Sequence, residues 1–411
     1  QRQMCIRDRG KVTDIGEYAF AYCTSLTNVD KLNTVVNIGN DAFSACTALQ
    51  KIGDLPNVTS IGEWAFTGCT KLQSVGNMPN LTSVGQGIFS GLTYNDDNGQ
   101  AIRTEYCVSL QSVGNMPKLA SGGRVMFYKC SALKSVGNLS SLTVIPDSMF
   151  EGASSLTSLG DLSSVTSISK RAFHSCSSLK RLNNLSSLRT IGERAFCNCS
   201  ALVNVSSLSG VTSIGDSAFY GCRSLTSLGS LSSIISIDQW AFANCTSLES
   251  VGNMNYLTSL GNRAFQGCTS LISVGNMPKL TQIGENAFAN CSALASVGSL
   301  SSVTSIGDHA FLSCSALKTI GNMSKVQTIG MGAFASCKSL VSITSLNSVT
   351  KIGTRAFSDC TALKTVGDLR NVTSIATNAF YNCPYVTLRV LRNSYAARYA
   401  QSKGISYVYI Q

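Results

Sequence analysis

The chain reads as a mainly β solenoid built on a short repeat, and two observations predict it. All 16 phenylalanines of the 411 residues stand on one ladder: Phe20, Phe43, Phe66, Phe89, Phe127, Phe150, then every 23 residues to Phe380. Around each Phe the same grammar returns, I-G-x-x-A-F-x-x-C-x-x-L-x-x-V. A unit of that length cannot enclose a core, but copies stacked in register can, each stabilised by its neighbours.

Each element follows from the grammar. The segments L-x-S-V-G and V-T-S-I alternate apolar with small polar residues and favour β-branched types, which predicts two short parallel strands per rung, one on each side of the coil. Between them, x-x-A-F-x-x-C is expected to form a short helical turn, with an acidic residue such as Glu63, Asp216, Glu285 or Asp308 capping its first turn. Phe, Ile, Leu, Val and Ala should point inward. Rungs at a sheet spacing of ~4.8 Å give an array roughly 75 Å long.

The boundaries come from where the period fails. Residues 1–11 lie outside the repeat, and their string MCIRDR resembles translated sequencing-adapter read-through. Residues 12–383 carry sixteen repeats, with one insertion near 90–106. After Cys383 the segment reads as strand, short helix and strand, with Gly404 suited to the helix stop; residues 384–411 are assigned as a C-terminal cap.

The string SIGDSAFYGCRSLTSL (213–228) makes the pattern specific. It resembles the BspA-like leucine-rich repeats of microbial surface proteins, and the match runs over about residues 12–383. The chain departs from that family's usual unit in one turn, where it has G-N-M-P (76–79, 275–278) or G-S-L-S-S (298–302). The resemblance implies a leucine-rich-repeat solenoid at the cell surface or secreted. Its implied role is a non-catalytic adhesion module contacting host matrix proteins, glycans or other cells. A structural spacer or display rod, or an intracellular protein-interaction scaffold, is the alternative.

Composition sets outer limits. With 44% hydrophobic and 13% charged residues there is ample apolar matter to bury, so the chain is not read as disordered. No apolar run reaches the ~18 residues of a spanning helix, and no membrane insertion is expected. The net charge of +11 can attract anionic partners, yet 32 basic residues are spread thinly along the chain, so nucleic acid is not expected.

Most chemically suggestive residues reduce to the repeat. Fifteen of the 17 cysteines occupy one repeat position, as an inward ladder of buried thiols. The remaining motif, Cys197-Asn198-Cys199, lacks the C-x-x-C spacing and second pair of a zinc site. His174 and His309 lie almost six rungs apart and are read as surface residues. The N-x-S/T sequons at Asn57, Asn80, Asn138 and Asn371 follow from repeat grammar. No catalytic motif stands out, so the chain is not expected to be an enzyme, and neither metal nor cofactor is predicted. A monomer is expected.

Two places carry the candidate site. The insertion includes Tyr94, Asp96, Asp97 and Asn98, and Asn98-Gly99 suits a tight turn, so a projecting hairpin is predicted. Beside it Ile88, Met126 and Met149 replace the Ala before Phe, and Gly122 replaces an apolar residue. These changes fit either a partner-binding bulge or tolerated decay around an insertion. The second place is a basic cluster, Lys170, Arg171, Lys180, Arg181, Arg189 and Arg194, with Glu193 as its only acid. An anionic protein or glycan ligand would suit it.

Overall fold

A computed structural model of the chain describes residues 12–95, 101–205, 208–343 and 346–411. The chain forms two compact units, residues 1–206 and 207–411. Both are parallel β-solenoids with very little helix.

In the first unit one ladder contains Asn28–Val29, Lys51–Ile52, Ser74–Val75, Ser112–Val113, Ser135–Val136 and Ser158–Leu159. We call it the Val side. The Ile side contains Asp14–Ile15, Asn37–Ile38, Ser60–Ile61 and Ser83–Val84, and further on Val144–Ile145, Ser167–Ile168 and Thr190–Ile191. Each of these strands is two residues long, and its second residue is buried, or half-buried at Val84 and Leu159, because successive side chains point to opposite faces. Pairing joins residues one repeat apart, as Lys51 with Ser74. At the insertion Ser74 pairs with Ser112, so the ladder closes past the extra residues. The second unit repeats the pattern, for example Ser250–Val251 with Ser273–Val274, and Ser305–Ile306 with Thr328–Ile329.

The core between the ladders is a column of offset-stacked rings. Phe43 and Phe66 lie 5.2 Å apart at 9° in the first unit, and Phe311 and Phe334 lie 5.2 Å apart at 6° in the second. Burying each ring contributes about 1.5–3 kcal/mol.

The connecting segment expected to be a helical turn is instead a run of tight turns. In rung one Ala19 and Cys23 donate their N–H groups within the rung, to Gly16 and Phe20. Tyr18, Phe20 and Tyr22 donate theirs to Asn40, Ala42 and Ser44 of the next rung. Every second N–H is thus taken by a neighbour, which no α-helix permits. Residues two before and two after Phe are left-handed, as at Trp64 (φ 57°), Trp240 (φ 57°) and Asn244 (φ 60°). That conformation is uncommon for non-glycine residues, and the inter-rung bonds offset its cost.

Beyond Cys383 the chain forms Thr387–Val390, a helix at Tyr395–Lys403, and Ser406–Tyr409. Ser394 accepts the Ala397 N–H at the helix start, and Gly404 ends it at φ 64°. Tyr399 packs 6.4 Å from Phe380 and donates its hydroxyl to the Ala376 and Thr377 carbonyls, covering the last ring of the column.

Candidate binding surface

The repeated polar residues are occupied by the fold itself. From the second rung on, ladder thiols donate to the Phe carbonyl one rung back, as Cys46 to Phe20 at 3.1 Å and Cys245 to Phe219 at 3.2 Å. Burial pushes the Cys46, Cys107 and Cys337 thiols up to about 12, so the thiolate needed for nucleophilic or metal chemistry is disfavoured. Thr82 and Thr304 donate to the carbonyls of Thr59 and Thr281, both at 3.1 Å. Three sequon amides are engaged as well: Asn57 donates to Asn33, Asn80 to Pro56 and Asn371 to Asn347.

The acidic residues expected to cap their own turns act across rungs instead. Asp308 accepts the Met331 N–H at 2.7 Å, and Gln239 donates to Asp216 at 2.8 Å. A turn whose N–H groups already reach the next rung has little use for a helix cap.

The insertion forms an antiparallel hairpin, Leu92–Asn95 with Ala101–Glu105. Tyr94 stands in its first strand opposite Arg103. Asp96, Asp97 and Asn98 lie outside the described residues. At the hairpin's base, Tyr106 packs so closely on Gly91 that a Cβ there would sit 2.4 Å from its ring. Lys129 donates to the Tyr106 hydroxyl at 3.1 Å, which raises the affinity of its amine for a proton. The same ammonium lies 4.7 Å from the Tyr106 ring centre and 5.3 Å from that of Tyr128. Sequence reasoning missed these three residues; the signal was two tyrosines and a lysine flanking the insertion.

The exceptions beside the hairpin are compensated. Ile88, Met126 and Met149 are fully buried, and Phe89 still stacks on Phe127 at 5.5 Å. A Cβ on Gly122 would meet Met149 Cε at 3.2 Å and Sδ at 3.4 Å. The long Met149 side chain therefore fills the space left by the missing side chain at 122.

The basic cluster is divided. Lys170 and Arg194 share Glu193, at 2.8 Å and 4.0 Å. Arg171 lies 3.5 Å from Glu151, a second acid from the preceding rung that the sequence reading did not include. Arg189 enters the Ile side just before Thr190–Ile191, whereas Lys180 leads into Arg181–Leu182, which pairs with Asn204–Val205 at the Val-side position of the repeat. Leu182 and Ile191 are both buried, so the core separates the two groups. Thr190 follows Arg181 by nine residues, and that stretch of the coil carries the chain from one side to the other.

Glu151 gathers more than Arg171. Its carboxylate accepts the Ser148 hydroxyl at 2.6 Å and lies 3.7 Å from His174 Nδ1. His174 is half-buried rather than a simple surface residue. Burial lowers its proton affinity, against the attraction of Glu151 and with the repulsion of Arg171 and Arg194. In the second unit, Trp240 carries the Arg263 guanidinium at 4.8 Å and meets the Tyr220 ring edge-on at 6.1 Å. Among the described residues no group of three His, Cys, Asp or Glu is placed to hold a metal ion. No helix there is long and apolar enough to cross a membrane.

A family model described as a BspA type leucine-rich repeat region matches, in six copies, residues 6–96, 105–203, 166–295 and 258–389. Among solved structures, a leucine-rich repeat protein from Bacteroides ovatus is similar at 26% identity and a TM-score of 0.66, covering 99% of this chain and 97% of that one. A leucine-rich cell surface protein from Faecalibacterium prausnitzii aligns at 24% identity and a TM-score of 0.41, covering 87% and 88%. No curated protein matches the chain.

Proposed function

Because this chain belongs to the BspA-type leucine-rich-repeat family, we propose that it is a non-catalytic, monomeric binding module held at a microbial cell surface or secreted, recognising a protein or glycan through its inserted hairpin. Repeat solenoids commonly bind through one regular face or through an inserted loop. The observation that carries the choice is that the core column continues from Phe89 to Phe127 without the hairpin's help. Its 15 extra residues are therefore dispensable to the stack. The clamp of Tyr106, Tyr128 and Lys129 orients what projects from it.

The basic residues are the weaker contributor to this reading. Lys170, Arg171 and Arg194 already face carboxylates, which leaves less charge for an anionic ligand. Lys180 and Arg181 on the Val side are the better positions for one.

Deleting residues 92–106 restores the regular F-x-x-C spacing, as Phe89-Ser90-Gly91-Cys107. The shortened chain should keep its circular dichroism and melting temperature. It should lose whatever binding the full chain shows to immobilised collagen, fibronectin and laminin, or to an array of neutral and sulfated glycans. Equal binding by both chains would remove the hairpin as the recognition element. No binding by the full chain to any of these surfaces would reject adhesion itself. Charge reversal at Lys180 and Arg181 separates out any salt-sensitive component.

A further inference from the structure

The second unit ends on a sheet edge built differently from every rung before it. Ser406–Tyr409 is four residues long, twice the two-residue solenoid strands such as Thr365–Val366. It pairs with Thr387–Val390 on one side and is the terminal strand of its sheet among the described residues. Exposed edges are normally blunted by a charge, a proline or a bulge, and the strand Ser-Tyr-Val-Tyr has none of these.

The register says which groups the edge presents. Tyr407 lies opposite Leu388 and Tyr409 opposite Val390, both of which are fully buried. The two tyrosines therefore continue the core-facing row, yet Tyr409 is 46% exposed. Val408, opposite Arg389, stands on the solvent side and is 49% exposed. Ile410 donates its N–H back to Val390. Bonding alternates along a parallel ladder, so the N–H and C=O groups of Tyr407 and Tyr409 point outward from the edge.

The cap's own charge is of one sign, and the acid beside it, Asp368, interacts with Arg389 while bonding Arg370. Residues 384–411 hold Arg389, Arg392, Arg398 and Lys403 and no acid. The Arg392 guanidinium lies 4.7 Å over the Tyr409 ring, at the edge itself. A second copy of this chain would bring the same four cations against them, which disfavours self-pairing.

We propose that Ser406–Tyr409 is a docking edge for an extended acidic segment of a partner protein, added as one more strand. Its apolar residues would cover Tyr407 and Tyr409, and its alternating acidic residues would face Arg389 and Arg392. This site is distinct from the inserted hairpin, so the deletion of residues 92–106 should leave it unaffected.

The test uses the full chain and two fluorescein-labelled peptides, one alternating Glu with Val and one alternating Lys with Val, read by anisotropy. The Glu-Val peptide should bind more tightly by at least about tenfold, with affinity falling as salt rises. Tyr409→Pro removes one outward N–H and should abolish the preference. Arg389→Glu combined with Arg392→Glu alters only exposed side chains and should invert it, which keeps the proposal testable should the proline disturb the cap. Equal binding of the two peptides, no binding at millimolar concentration, or no response to the charge reversal would overturn it. So would a concentration-dependent dimer in sedimentation that Tyr409→Pro dissolves, since the edge would then serve a second copy.

Discussion

The stretch around the hairpin and the regular rungs of the second unit obey one grammar with different fidelity. From Phe288 to Phe380 the rings stack at 5.2–5.3 Å and within 6° of parallel. Phe66 and Phe89, beside the hairpin, stand at 5.6 Å and 16°. The column there is looser but unbroken. The lost side chain at Gly122 and the larger Met149 are absorbed together because Met149 reaches under Gly122, and Ile88 and Met126 are fully buried. What the solenoid conserves is filled volume along the column, and which residue supplies that volume is negotiable.

That idea breaks most visibly at Met149. Met149→Ala should empty the space under Gly122 and destabilise the first unit by about 2–5 kcal/mol. Gly122→Ile alone should overpack against Met149 Sδ and Cε, at a cost of about 1–3 kcal/mol. The double variant rebuilds the regular Ile and Ala arrangement, so its cost should fall well short of the sum. Denaturant unfolding of the four chains measures the coupling. Strict additivity would mean that the two positions do not share one space. In the regular region Ala310→Met meets no such vacancy beside Ile283, so it should destabilise where the native Met149 does not.

Much of this was legible in the sequence and some was not, for physical reasons. The Phe ladder, the two strands per rung and the buried thiols follow from side-chain pattern, because a stacked core demands the same residue at the same depth in every copy. The connecting turn was misread as helical. Its left-handed residues include Trp64, Arg171 and Trp240, whose local preferences oppose that conformation. The backbone is held there by N–H groups reaching the next rung, a non-local cause that no single repeat displays. The basic cluster failed similarly. Arg181 and Arg189 are close in sequence but belong to opposite sides of the coil, while Glu151, one repeat before His174, sits beside it.

The Glu151 group predicts a smaller, pH-dependent difference between the two kinds of region. Burial lowers the folded-state proton affinity of His174 below its ordinary value near 6.5. The unfolded chain then binds the proton more readily, so stability is fully present above about pH 6.5 and is lost as pH falls through that value. Melting temperature should therefore decline between about pH 7 and pH 5. His174→Gln should flatten that decline. An identical slope in the variant would assign the loss to other groups; Asp41 is not one of them, since burial raises its carboxyl and so favours the folded state as pH falls.

The smallest expected effect concerns the one rung without a thiol. Ala153 stands where fifteen other repeats have Cys. Phe127, which would accept from that thiol, keeps its carbonyl bonded to the Cys130 N–H at 3.1 Å. Ala153→Cys supplies the second donor seen on neighbouring rungs, as Cys176 gives Phe150 at 3.1 Å. The net worth of a hydrogen bond is about 0.5–1.5 kcal/mol, and a thiol donor belongs at the low end. The variant should thus gain a fraction of a kilocalorie, and Cys291→Ala should lose a comparable amount beyond its packing cost. Denaturant midpoints resolve the sign. If Ala153→Cys destabilises, the irregular stretch has closed over the smaller side chain, and its looseness lies in the ring stacking without extending to the thiol ladder.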